Sequence, residues 1–193
     1  EKIEFAQDTP LRTAEEALEG ADLFLGVSGP GLLTAEMVSK MAKSPIIFAL
    51  ANPTPEIMPD EARRGAPDAL IATGRSDFPN QVNNVLCFPF IFRGALDVGA
   101  TEINDAMKIA CVEAIAELAR RTASAELGQA YQGERLAFGP EYLIPKPFDP
   151  RLLPTIALAV AKAAMDSGVA TRPVDLDAYE KSLQGQVFRS FGV

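Results

Sequence analysis

Residues 21–50, "ADLFLGVSGPGLLTAEMVSKMAKSPIIFAL", decide the fold. Residues 21–28 form a short apolar run that ends in small residues, and "SPIIFAL" at 44–50 repeats the pattern. Continuously apolar strands, rather than alternating ones, are what a parallel sheet covered on both faces requires. Between them, "TAEMVSKMAK" offers Thr34 as an N-cap, an acid early and lysines late, which predicts a short helix. Upstream, "TAEEALEG" predicts another helix with Gly20 as its stop, and "DALIAT" at 68–73 predicts a third strand. The order helix, strand, helix, strand, strand is that of a doubly wound α/β domain.

After Phe78 the character changes. A helix is predicted to begin near Pro79, to run through Asn80, Gln81, Asn83 and Asn84 into the apolar segment 85–92, and to be interrupted or kinked at Pro89. From Thr101, apolar residues at 103, 107, 110, 111, 114, 115 and 118 trace one helical face. Five prolines in 139–154 predict a stiff, extended connection. Asp149 and Pro150 then read as N-cap and first position of a helix ending near Ser167 and Gly168, and "DLDAYEKSLQGQVF" as a last short helix. The expected division is 1–100 for the sheet part and 101–193 for a mainly helical part of the same domain.

The 193 residues, 48% apolar and 23% charged, suit one soluble domain with a sizeable core. A net charge of −8 argues against nucleic acid or an anionic membrane surface as partner. The longest apolar run falls far short of the roughly 20 residues that cross a bilayer. The opening "EKIEFAQDTP" has neither an initiator Met nor a basic or apolar leader, so the chain is expected to begin inside a longer protein. Cys87 and Cys111 lie in apolar surroundings without CxxC spacing and read as buried reduced thiols, which points to the cytoplasm. The absence of histidine removes Ser-His and Cys-His nucleophilic pairs and His-based metal sites.

Three strand ends carry polar or small residues. "GVSGPG", Gly26–Gly31, has glycines at i, i+3 and i+5, which is not the G-x-G-x-x-G fingerprint. "LANPTPEI" places Asn52 before Pro53, and "ATGRSD" runs from Ala72 to Asp77 into the amides. Each alone also reads as a turn. Together they are more informative, because the ends of parallel strands lie on one side of the sheet, where ligands of open α/β folds bind. Ser28-Gly29, Asn52 and Gly74-Arg75-Ser76, followed by Asn83 and Asn84, are therefore expected to border a crevice. Its neutral donors and acceptors suit a carboxamide, ribose hydroxyls, or a substrate carboxylate and hydroxyl. Asn80, Gln81 and Asn83 read as caps and loop hydrogen bonds, Lys146 as a solvated loop lysine, and the acids of "EE", "DEARR" and "DLD" as solvated helix faces.

"FALANPTPEI", "ATGRSDFPNQVNNVLCFPFIFRGALDVGATEI", "FGPEYLIPKPFDPRL" and "AVAKAAMDSGVATRP" closely resemble the cofactor-binding domain of bacterial malic enzymes, over essentially the whole chain. The resemblance implies part of a doubly wound Rossmann-type parallel sheet lacking its first βαβ unit, with a helical C-terminal extension. It implies oxidation of malate with NAD or NADP and a divalent metal, Mg or Mn, followed by decarboxylation to pyruvate and carbon dioxide. Asn52 and Asn84 match the family's substrate-side asparagines, which bind malate and border the nicotinamide. Ser28 and Gly29 match the turn along the cofactor, which Asn52 also lines. The family's fingerprint loop, metal-binding acids, basic lysine and acidic tyrosine match no stretch here. No catalytic residue or metal ligand is thus assigned, and the chain alone is expected to be inactive. Its expected partners are malate or pyruvate, the N-terminal part of the same protein, and further copies in a homo-oligomer. The residues that separate NAD from NADP follow a second strand outside this sequence. A fragment of a related amino-acid or hydroxy-acid dehydrogenase, and a non-catalytic α/β interaction domain, are the alternative readings.

Overall fold

Local chemistry explains each element up to Pro79. The Thr13 hydroxyl accepts the Glu16 N–H at 3.2 Å while the Glu16 carboxylate accepts the Thr13 N–H at 3.0 Å, a reciprocal cap that opens α1 (Ala14–Leu18). Gly20, at φ 73°, stops it. Strand β1 (Leu23–Gly26) follows, then α2 (Ala35–Ser39), whose Thr34 cap accepts the Met37 N–H at 3.2 Å. Strand β2 (Ile46–Ala49), α3 (Pro59–Gly65) and β3 (Leu70–Thr73) complete the series. Helix α3 is missing from the predicted order, which set two strands in direct succession. Because β2 and β3 are parallel, the chain must cross over between their ends, and Pro59 in the first turn starts the crossover helix.

The computed structural model describes residues 2–123, 127, 128, 131 and 136–191. It divides into two units, Glu1–Pro79 and Asn80–Val193, earlier than the expected boundary at residue 100 and at the change of sequence character after Phe78.

In the first unit the sheet order is β1-β2-β3, all parallel, with Gly26, Ala49 and Thr73 side by side at the ends. One face carries Phe24, Ile47, Ala49 and Ile71, which pack with Leu18, Val38, Ile57 and Ala62 from the helical side. Two successive crossovers of one hand in the same direction place both helices on the same face. The other face differs from the expectation of cover on both sides, since Leu23 and Leu25 remain 51% and 59% exposed.

The second unit is helical. The helix predicted from Pro79 does not form through the amides. Asn80 has φ 57°, Asn84–Leu86 is a single 3-10 turn, and α4 (Phe88–Asp97) begins only at Phe88. Pro89 does not interrupt this helix but lies in its first turn, where its missing N–H has no helical acceptor to lose. Helix α5 (Asp105–Arg120) is capped by Asn104, and its apolar face buries Met107, Cys111 and Leu118. Helix α6 (Leu152–Asp166) begins after Arg151, slightly later than predicted, and ends at Ser167 with Gly168 in the left-handed region. Helix α7 (Leu176–Phe191) is longer than the short helix predicted. The core centres on α6, whose Ile156, Ala157, Val160 and Ala164 are buried. A Cβ at Gly94 of α4 would lie 2.5 Å from the Ala157 carbonyl, so only glycine allows this helix approach.

Candidate functional site

The register of the sheet brings Ser28, Gly29 and Asn52 to one end of the first unit. Ser28 and Asn52 are exposed there, Asn52 just beyond β2 and joined to Pro53 by a cis peptide. The end of β3 lies alongside, because a Cβ at Gly74 would be 3.4 Å from the Leu50 carbonyl and 4.0 Å from the Asn52 Cβ. Arg75, in the third strand-end segment, is engaged locally. Its guanidinium donates to both Asp77 carboxylate oxygens at 2.8 and 2.6 Å and stands 5.2 Å from the Phe78 ring centre. That pairing raises the Arg75 pKa and lowers that of Asp77.

What holds the ends beyond β1 and β2 is Glu56, a residue that no motif singles out. Its side chain is fully buried. One carboxylate oxygen, Oε1, accepts the Ser28 N–H at 2.9 Å and the Ser28 hydroxyl at 3.3 Å. The other, Oε2, accepts the Ala51 N–H at 3.0 Å. Its main-chain carbonyl accepts the Leu33 N–H at 3.1 Å. Burial, the largest single influence, raises the carboxyl pKa, but the donated hydrogen bonds together outweigh it and leave the group below the ordinary range. The signal for Glu56 in the sequence is faint: an acid between Pro55 and Ile57, both buried, just after a strand end whose amides need acceptors.

Asn84 belongs to the second unit. It is exposed at the start of the 3-10 turn, and it borders a cavity of about 310 Å³ with Cys87, Phe88, Ile91 and Phe92. Neither Asn52 nor Asn84 has a side-chain hydrogen bond to another described residue. Asn80 and Asn83 contrast with them. The Asn80 amide donates to the Pro140 carbonyl and its oxygen accepts the Leu143 N–H, both at 2.7 Å, while the Asn83 oxygen accepts the Val85 N–H at 3.0 Å. Both are structural, as expected. Lys146 is half-buried rather than solvated, with its ammonium 5.1 Å from the Tyr131 ring centre.

Cys87 and Cys111 are free, and their sulfurs lie 3.4 Å apart. Burial first, then the contact with Cys87, pushes the Cys111 thiol up to about 12, which makes it a poor nucleophile. Among the described residues no group of three or more His, Cys, Asp or Glu is arranged to hold a metal, and both oxygens of the buried Glu56 are occupied. The described residues therefore do not fit the divalent metal. A larger groove of about 930 Å³ on α5, α6 and α7 is lined by none of the residues expected in the site. No helix among the described residues is long and apolar enough to cross a membrane.

A parallel sheet whose ends carry exposed, uncommitted polar groups is an α/β fold of the nucleotide-binding, Rossmann-like class. The family described as "Malic enzyme, NAD binding domain" matches residues 4–131, and the chain belongs to it. It is 64% identical over 184 residues to an NADP-dependent malic enzyme of Salmonella typhimurium, covering 95% of this chain and 24% of that protein. It is 60% identical over 190 residues to an NAD-dependent malic enzyme of Rhizobium meliloti, covering 98% and 25%. The chain thus spans about a quarter of the length of these curated relatives, and it is nearly as similar to one cofactor class as to the other. The crystal structure of Entamoeba histolytica malic enzyme matches with a TM-score of 0.78 and 36% identity, covering 99% of this chain and 38% of that one.

Proposed function

We propose that this chain supplies part of the NAD(P) and malate site of a malic enzyme, which oxidises malate and decarboxylates the product to pyruvate and carbon dioxide. Asn52 is the observation that carries the reading. It is an exposed amide with no partner among the described residues, at the shared end of three parallel strands, in a chain of the malic enzyme family. An amide suits malate because it offers fixed donors and an acceptor to hydroxyl and carboxylate without adding a titrating group. NAD(P), when bound, would supply the hydride acceptor for that oxidation, and Ser28, Gly29 and Asn52 are the residues of this chain that would hold it; the hydroxyl proton requires a base. That base and the divalent metal belong to residues outside this chain, which is inactive by itself. In this reading Asn84 is a second substrate contact and the Ser28-Gly29 turn lies along the cofactor. The protein acts in the cytoplasm as a homo-oligomer, and its free thiols are compatible with that compartment.

The test is Asn52→Ala in the full-length protein. Malate-dependent reduction of NAD or NADP should lose about 10- to 100-fold in kcat/KM, as for one or two lost hydrogen bonds to a charged substrate. Unchanged kinetics with either cofactor would remove Asn52 from the site.

A further inference from the structure

We propose that Glu56 is a positioning residue that sets the malate-facing and cofactor-facing loops against each other, its two carboxylate oxygens each holding one strand end. The inference rests on the assignment of Asn52 and Ser28 to the site. Oε1 takes the N–H and hydroxyl of Ser28 beyond β1, and Oε2 takes the N–H of Ala51, the residue directly before Asn52 beyond β2. The loop from β1 to α2 is held at its far end as well, where the Glu56 carbonyl accepts the Leu33 N–H. One residue therefore ties both ends of the loop 28–33 to the main chain directly before Asn52.

The neighbours are shaped around it. A Cβ at Gly26, the last residue of β1, would lie 2.5 Å from the Glu56 Cδ and 2.6 Å from Oε1. Glycine at this position leaves the space the carboxylate occupies. No lysine or arginine pairs with Glu56 among the described residues, so its charge is met by N–H and O–H dipoles alone. A carboxylate is needed because two main-chain donors from different strand ends converge on one point, and only two acceptor oxygens on one rigid plane satisfy both. Glutamine cannot replace it, since its NH₂ group would face an N–H.

The test uses the full-length protein with three variants, Glu56→Gln, Asn52→Ala and the double substitution. Since a shift of about 1 Å in a positioning group can cost about 100-fold, Glu56→Gln should lower malate kcat/KM by about that factor and weaken binding of the nicotinamide nucleotide. At saturating nicotinamide nucleotide, the same substitution in the Asn52→Ala background should cost little further malate kcat/KM, because Glu56 acts on malate through Asn52 and its effect through Ser28 falls on nucleotide binding. A loss in the double variant equal to the product of the two single losses would overturn the proposal, as would an unchanged kcat/KM in Glu56→Gln. A silent Asn52→Ala would instead bring down the site assignment on which the proposal rests. If Glu56→Gln does not fold, Glu56→Asp, whose shorter arm reaches one strand end, takes its place in the same cycle. Failure of both to fold would show Glu56 to be a determinant of folding only, and would also overturn the proposal.

Discussion

The strand ends of the first unit and the amide-rich entry to the second use their polar groups in opposite ways. At the strand ends, a buried carboxylate absorbs the main-chain donors, and the side chain of Asn52 is left uncommitted. In "NQVNN", Asn80 spends its amide on Pro140 and Leu143 and Asn83 caps a turn, while the side chains of Gln81 and Asn84 have no partner among the described residues. Residue type does not distinguish an amide committed to the fold from one left open to a ligand. What distinguishes them is whether the chain itself already satisfies the group.

The largest effect that would break this comparison belongs to Asn80. Asn80→Ala leaves the Pro140 carbonyl and the Leu143 N–H without their partner and puts alanine at φ 57°. A stability loss of about 3–5 kcal/mol is expected in denaturant titration, with malate kinetics of the folded enzyme unchanged. A stable Asn80→Ala protein with impaired kinetics would reverse the roles assigned to the two kinds of amide.

Next comes Asn84. Asn84→Ala removes no hydrogen bond within the described chain, so the melting temperature should hardly move. Malate kcat/KM should fall by the equivalent of about 1–3 kcal/mol per lost hydrogen bond in the full-length protein. A lower melting temperature with normal kinetics would make it another cap.

Much of the fold is legible because its signals are local. The apolar runs at β1, β2 and β3, the Thr34 and Asn104 caps and the face of α5 all follow from neighbouring residues. Among the features not legible from the same rules are the crossover helix α3, the role of Pro89 and the place of Glu56. Proline opens a helix as readily as it breaks one, and only the break between the 3-10 turn at Asn84–Leu86 and the start of α4 at Phe88 shows that Pro89 does the former. Glu56 was hidden for a different reason. Its partners are the main-chain donors of residues 28 and 51, and a backbone N–H leaves no trace in residue type. The site candidates Ser28 and Asn52 stood out by their place at strand ends, whereas the group that connects them did not.

A smaller effect tests the asymmetry within the first unit. Leu23 and Leu25 stand on the face away from α2 and α3, and β1 pairs only with β2 among the described residues. Strand β1 is thus an edge whose outward N–H and C=O groups meet no further strand among the described residues. The isolated 193-residue chain should therefore self-associate through this edge in light scattering, and Leu25→Lys should weaken the association. A monomer whose β1 amides exchange rapidly with solvent while the rest of the sheet stays protected would show that the edge tolerates water.

The smallest effect sets the two units apart by pH. Tyr179 in the second unit is an acid whose pKa is raised, first by burial and then by donating its hydroxyl to Asp97 at 2.8 Å. Glu56 in the first unit is an acid whose pKa is lowered, because its donors outweigh burial. The signs of their contributions follow from linkage. The folded state binds the Glu56 proton less tightly than the unfolded state does. Its contribution is complete above the unfolded value of about 4.3 and is lost as pH falls through the folded pKa. The folded state binds the Tyr179 proton more tightly, so that contribution is complete below the unfolded value of about 10 and is lost as pH rises towards the folded pKa. Glu56→Gln should flatten the acid limb of a stability-pH curve and leave the alkaline limb alone, while Tyr179→Phe should do the reverse. Urea denaturation at a series of pH values on either side of neutrality measures both. A Tyr179→Phe variant with an unaltered alkaline limb would show that the phenol titrates alike in the folded and unfolded chains, and that its hydrogen bond to Asp97 does not bear on stability.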